Sequence, residues 1–513
     1  MTTTQRDKNS PPPAPRRLRK WLRRLLWTLA TSIAFCFALI FVLFAFLNRV
    51  PQSYPPPAKI IEPPTRDAYA RFKLDGFDSP YLGHTGSWNG KGGTMFGGTK
   101  ENDMDKEVAM GLRWTFMPVN WRALEPIGPV DLAHEIPAAW KGLDAFVEAA
   151  QRRKLNILFQ APVIGGNAEG PPDWAGRREP DKSAPTNMDA AADFATKLAR
   201  RYKPGGTLAV EQGWGDLYGV RAWEIDNEPE MYRTHWKNQA ADYAELATKV
   251  AAKIKAEDPL AMIILPGVAS GKHKFQWLEQ TLHAEALAGS PTFKSNAIPY
   301  SIGPIADAVS FHVYEGLDSA FAGQPRTVEV VFDELREIFE VSENRSAEFL
   351  YARKQEYWHT EGNFDFIGAL SKERRAAWRI QFFTRAFAAG VRKVCVMDAS
   401  KPEIRAVRAY IDALPWPFPM HRADEAIQAI NPSSKPIAYR HLDSSDPQGG
   451  QVWIIWTPPG QVDSIIKVPV HRSSVTIIKS DGSKNTQTAN DGQVEVRIKA
   501  DQKMVEPVLV VDR

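Results

Sequence analysis

Val220-Arg221-Ala222-Trp223-Glu224-Ile225-Asp226-Asn227-Glu228-Pro229-Glu230 is a short, mostly apolar run that breaks into acidic and amide residues and then a proline. A run of this length reads as one buried strand, Val220 to Ile225, and the polar residues beyond it read as the loop at its C-terminal end. The same pattern recurs at Tyr81 to His84, Leu112 to Phe116, Leu155 to Gln160, Met262 to Pro266, Ala308 to Val313, Glu356 to Thr360 and Val391 to Met397. Stretches of helical period follow them: Asp103 to Met110, Ala138 to Arg153, Met188 to Tyr202, Gln239 to Glu257, Lys272 to Leu287, Thr327 to Val341, Lys372 to Ala389 and Pro402 to Leu414. Asn187 before Met188 and Gly390 after Ala389 supply end signals.

Eight strand-helix pairs predict an α/β fold, a (β/α)8 barrel over residues 67–430. A doubly wound open sheet is the alternative, weakened because no G-x-G-x-x-G follows the first strand. From Pro436 the period changes to short alternating strands separated by Asp481-Gly482 and Asn490-Asp491-Gly492, so residues 436–513 are expected to form a small antiparallel β-sandwich packed on the barrel.

The 513 residues carry a net charge of +4, but residues 1–24 hold eight basic groups against Asp7, a net of +7, which leaves −3 on the rest. The body therefore has no electrostatic footprint for nucleic acid. Leu25 to Leu47 is uncharged and, as a helix, reaches about 34 Å, enough for a bilayer core. An uncleaved transmembrane helix over 25–47 is the expectation, with a cleaved signal as the alternative. The basic arm 1–24 puts the N-terminus in the cytoplasm of an inner membrane and the catalytic body outside, in the periplasm. Residues 48–66, rich in proline, form a linker. Two cysteines, Cys36 and Cys395, exclude a disulfide framework and a Cys-based zinc site.

A barrel does its chemistry where its strands end. The fourth strand ends on Asn227-Glu228-Pro229 and the seventh on His359-Thr360-Glu361, two carboxyls aimed at one mouth. Such a pair suits glycoside hydrolysis, one group protonating the leaving oxygen and the other attacking. Each Glu taken alone is equally an ordinary loop carboxylate. His359 and Glu361 alternate onto one strand face and would begin a metal site, but no third ligand is evident, and no metal or cofactor is assigned. Gly92 to Lys100 has phosphate-loop glycines without the Lys-Ser/Thr ending and is read as a rim loop. Trp88, Trp121, Trp174 and Trp236, among 16 tryptophans, are candidates either for stacking on sugar rings or for packing.

Asn-Glu-Pro after strand four, a Glu ending strand seven and Phe311-His312-Val313-Tyr314 after strand six together resemble the clan-A retaining glycoside hydrolases, nearest family 39. The resemblance implies that Glu228 is the general acid/base, Asn227 a donor to the sugar 2-hydroxyl and Glu361 the nucleophile. It further implies that His312 and Tyr314 line the sugar site, that Tyr314 orients Glu361, and that Arg113 neighbours the nucleophile. Strand eight, Val396-Met397-Asp398, lacks the clan's sugar-platform Trp. Glu361 as an anion is expected to keep Glu228 protonated until the leaving group departs. The substrate implied is a polysaccharide or oligosaccharide, and the anchor suggests exopolysaccharide processing beside synthesis or export machinery. A catalytically silent glycan-binding scaffold and a transglycosylase are the alternative functions.

Overall fold

The computed structural model describes residues 27–28, 31–32, 79–84, 101–164, 170–177, 184–231, 240–271, 277–278, 306–322, 325–345, 356–364, 370–396, 400–443 and 446–513. The chain divides into two units, Met1–Arg49 and Val50–Arg513. In the first unit Trp27, Thr28, Thr31 and Ser32 are helical. The rest of the expected span 25–47, the proline-rich linker and the Gly92 to Lys100 loop lie outside the described residues, as does most of the expected helix Lys272 to Leu287. Among the described residues no helix is long and apolar enough to cross a membrane.

In the second unit eight strands run parallel: β1 Ser79–His84, β2 Leu112–Asn120, β3 Asn156–Val163, β4 Ala222–Glu224, β5 Met262–Ala269, β6 Ala308–Tyr314, β7 Glu356–Asn363 and β8 Lys393–Val396. Each pairs with the next, and β8 pairs back onto β1 through Leu82↔Val394 and Gly83↔Cys395, so the sheet closes. That pairing excludes the open doubly wound alternative, which would leave two strand edges. Helix boundaries follow local chemistry. The Asn187 side chain accepts from Ala190 N–H at the start of Met188–Tyr202, and Gly390 at φ 112° ends Lys372–Ala389 in the left-handed region that glycine tolerates.

Alternation along the strands sorts side chains between two cores. Trp114, Phe116, Leu158, Ala222, Met262, Ile264, Ala308 and Trp358 point inward and fill the barrel. Their neighbours Phe159, Trp223, Ile263, Val309 and Phe311 face outward into the larger core beneath the helices. Lys393, the first residue of β8, is fully buried with its ammonium 3.8 Å from the Trp114 ring centroid and 4.7 Å from that of Trp358.

Beyond the barrel the strands are antiparallel. A six-stranded sheet has the order β15 (Lys484–Thr488), β14 (Ser474–Lys479), β17 (Val508–Asp512), β12 (Gln451–Trp456), β11 (Ile437–Leu442), β9 (Met420–Arg422). A three-stranded one runs β10 (Gln428–Ala429), β13 (Ser464–Pro469), β16 (Gln493–Ile498). Pairing into these sheets starts at β9 and β10, upstream of Pro436, because two- and three-residue strands carry no readable alternation. β12 is buried on both faces, and the barrel helix Lys372–Ala389 reaches this region through Gln381 Nε2 to Val505 O (2.7 Å) and an Arg374–Asp501 ion pair (2.9 Å).

Candidate active site

β6 supplies three inward side chains in simple alternation, Ser310, His312 and Tyr314, stacked toward the C-terminal end of the barrel. His312, almost wholly buried, places Nδ1 2.8 Å from Glu228 Oε1. The Tyr314 hydroxyl donates to Glu361 Oε1. One atom each of Glu228, His312 and Glu361 lies within 4.8 Å of the other two.

A break in β7 makes this meeting possible. Phe311 pairs with His359 but His312 with Glu361, so Thr360 is an extra residue opposite the β6 ladder. The bulge turns Thr360 and Glu361 to the same side: Thr360 bonds inward to Glu224, and Glu361 reaches Tyr314. The sequence parity that put His359 and Glu361 on one face is thereby broken. The His359 ring packs on Phe311 and Phe382 with Nδ1 3.2 Å from Cys395 O, so the His359-Glu361 metal alternative is corrected.

The β4 loop is held in an unusual backbone. Asp226 (φ 64°) and Glu228 (φ 42°) both occupy the left-handed region, at about 1–3 kcal/mol each for non-glycine residues. Asp226 Oδ1 accepts from Ile164 N–H (3.1 Å) and Asn227 N–H (2.9 Å), while Glu228 N–H donates to Gly267 O (3.0 Å). These contacts fix Glu228 over the barrel. Gln160 Nε2 donates to Asn227 Oδ1 (2.9 Å), which turns the Asn227 amide so that its NH2 group is left for other partners.

Glycine at position 267 is required by close approach. A Cβ there would stand 1.9 Å from His312 Nε2. Below the carboxyl pair lies Glu224, fully buried, which accepts from Gln160 Nε2 (3.2 Å), Gly267 N–H (2.9 Å), Thr360 Oγ1 (2.9 Å) and Ser310 Oγ.

Electrostatics follow from this crowding. Burial alone would lower the His312 pKa, but Glu361, Glu228 and Glu224 outweigh it and raise it to about 9. Burial pushes Glu361 up, the Glu228 charge adds to that, and His312 and the Tyr314 hydroxyl oppose it. Burial and Glu361 drive Tyr314 far above its ordinary range, so its hydroxyl stays a donor.

Of the residues expected from sequence, Asn227, Glu228, His312, Tyr314 and Glu361 come together. Arg113 does not. β2 runs to Asn120 rather than stopping at Phe116, Pro118 is level with Gln160 and Gln160 with Glu224, so Arg113 sits five residues lower at the opposite end of the barrel. Its guanidinium donates to Leu112 O at 3.3 Å. Trp121 and Trp174 serve packing: they meet edge to face, Trp121 is fully buried, and their ring N–H groups donate to the side chain and carbonyl of Glu125. Trp88, Trp236, Met397 and Asp398 lie outside the described residues. Gln160, Glu224, Ser310 and Thr360 join the site beyond the residues expected from sequence; their signal is a polar residue at an inward position of a barrel strand.

No family model and no curated protein matches the sequence. Solved structures do match. A glucosidase from Croceicoccus marinus is 12% identical, with 86% of this chain and 97% of that one covered at a TM-score of 0.53. The GH39 enzyme of Xanthomonas axonopodis pv. citri is 13% identical over 90% and 98% of the two chains, TM-score 0.50. A monomeric β-xylosidase from Caulobacter crescentus is 14% identical over 89% and 98%, TM-score 0.50. The chain has the fold of these glycoside hydrolases, and at such identities the likeness concerns the fold.

Proposed function

We propose that the chain is a retaining glycoside hydrolase that cleaves O-glycosidic bonds of a polysaccharide or oligosaccharide by double displacement. The observation that carries this reading is the pair Glu228 and Glu361 within 4.8 Å, the first bonded by His312 and the second by Tyr314. A separation of about 5 Å leaves no room for a water between acid and sugar and suits direct attack by a carboxylate, whereas inversion needs about 6.5–9.5 Å.

Each group has a role that its contacts support. Tyr314 holds Oε1 of Glu361, leaving Oε2 to attack the anomeric carbon. His312 Nδ1–H occupies Oε1 of Glu228, so the transferable proton resides on Oε2. In the first step the Glu361 carboxylate bonds to the anomeric carbon as the glycosidic C–O bond breaks, and Glu228 gives its proton to the departing oxygen. In the second step Glu228 takes a proton from water, whose oxygen displaces Glu361. The Asn227 NH2, oriented by Gln160, donates to a sugar hydroxyl. Proton transfer of this kind contributes about 10²–10⁴-fold.

The uncharged run 25–47 and the basic arm before it support an inner-membrane anchor with the barrel on the periplasmic side, where the substrate would be an exopolysaccharide during its processing or export. The test is to incubate the full-length chain with a panel of activated 2-fluoro glycosides and locate any adduct by mass spectrometry. A sugar on Glu361 supports nucleophile and retention together, and the product formed on release separates hydrolysis from transglycosylation. Absence of adduct and of turnover across sugars that bind would favour a glycan-binding scaffold.

A further inference from the structure

Glu224 lies under the catalytic pair and touches neither carboxyl among its hydrogen-bond partners, yet it gathers side chains or backbone from β3, β5, β6 and β7. Burial raises the Glu224 pKa, and the donors around it oppose that by stabilising the charged form, among them Gly267 N–H and Thr360 Oγ1 at Oε1, with Gln160 Nε2 at Oε2. Thr360 Oγ1 is 2.9 Å from Glu224 Oε1 and 3.3 Å from His312 Nε2. A hydroxyl has one hydrogen. Once Thr360 donates it to Glu224, it can only accept from His312, so the ring presents N–H on the Nε2 side as well as toward Glu228.

We propose that Glu224 is a positioning residue: through the Thr360 hydroxyl its carboxylate orders the His312 ring, so that Nδ1–H is aimed at Glu228 Oε1 and Oε2 is left to carry the proton for the leaving group. The role rests on the reading of Glu228 as acid/base. Unbroken, the line runs Glu224, Thr360, His312, Glu228 and crosses from β4 to β7 to β6 and back to the β4 loop. The titratable groups facing His312 are Glu224 and Glu228 from β4 and its loop, Glu361 and His359 from β7, and Tyr314 on its own strand. Glu361 and Glu228 attract its second proton directly. Glu224 adds an anion at the far side of the ring, where no substrate group competes for it. The elevated His312 pKa, about 9, is in keeping with acceptors on both sides.

The test does not need turnover. The full chain is labelled with 15N-histidine, and His312 is identified among the ten histidines by its loss in His312→Gln. Its two ring nitrogens are then followed through a pH titration. In the unsubstituted protein both stay protonated past neutrality. In Glu224→Gln, which keeps shape but removes the charge, the midpoint is expected to fall by about one unit or more, the effect of losing a neighbouring anion. Thr360→Val is expected to lower it and Thr360→Ser to restore it, a pair that also serves if Glu224→Gln does not fold. The alkaline limb of the Glu361 labelling rate should follow the same shifts. A midpoint unchanged in Glu224→Gln or in Thr360→Val overturns the proposal. A shifted midpoint without any Glu361 adduct would leave the coupling standing and remove the glycosidase reading, while an adduct with an unmoved midpoint would do the reverse.

Discussion

Gly267→Ala concentrates the geometry of the site in one methyl group. The backbone of Gly267 is not in the left-handed region, so alanine is allowed there and the effect is steric. The new carbon would be 1.9 Å from His312 Nε2, and ordinary contact begins at 3.4 Å, so ring and strand must separate by about 1.5 Å. The His312–Glu228 hydrogen bond, at 2.8 Å, can lengthen by only about 0.7 Å before it ceases to be one. Nor can β5 retreat freely, since Gly267 N–H and O hold Glu224 and Glu228. At least one charge-assisted hydrogen bond is lost, at about 1.5–3 kcal/mol of stability. A shift of about 1 Å at a reacting group slows chemistry roughly 10²-fold. Thermal unfolding reads the first, the rate of Glu361 labelling by a 2-fluoro glycoside the second. Gly128→Ala, whose Cβ would meet nothing within 4 Å, is the control and should change neither. A Gly267→Ala protein that melts and labels like the parent would refute the placement of His312.

Tyr314→Phe removes the donor that lowers the Glu361 pKa, so the acid limb of the labelling rate should move to higher pH and the rate at the optimum fall roughly 10–100-fold, measured as rate against pH. Lys393→Met tests the barrel floor. Burial depresses the Lys393 pKa from 10.5 to about 7, with Cys395 and Glu356 opposing. The unfolded chain therefore binds the extra proton between pH 7 and 10.5, and the cost of this lysine to the fold is complete below pH 7 and fades as pH rises to 10.5. Lys393→Met should accordingly gain most over the parent below pH 7, less the lost contact with Trp114 and Trp358, and the gain should shrink toward pH 10.5. Chemical denaturation at several pH values checks it, and a gain that grows with pH would contradict the assignment.

Strand positions were legible because most of the barrel strands, β2 to β6 among them, are buried on both faces and so read as largely apolar runs. Strand ends were not, and the site depends on ends. Arg113 was placed beside the nucleophile by the resemblance alone; β2 runs four residues past Phe116, through Pro118 to Asn120, and this leaves Arg113 at the floor. His312 and Tyr314 came from the His-x-Tyr resemblance, and the plain alternation of β6 turns both inward. Glu361 was found by its neighbours, but its separation from His359 was hidden, since a bulge at Thr360 is set by pairing with β6 and leaves no mark in the local pattern. Glu224 stood in the open beside Trp223; what could not be read was that Gln160, Gly267, Ser310 and Thr360, far apart in the chain, would all turn toward it.

The Glu224 cluster also bears on how the barrel assembles. Its donors are spread from residue 160 to residue 360, so no hairpin-sized fragment can satisfy the carboxylate, and a partly closed sheet carries it as an unpaired buried acid. A strand displaced along its neighbour would exchange a donor for an apolar side chain such as Ile264 or Ala308 and leave the charge stranded, at a cost of about 1–3 kcal/mol or more. The polar layer beneath Glu228 and Glu361 thus acts as a check on register during folding: a barrel closed in a shifted alignment is disfavoured from within.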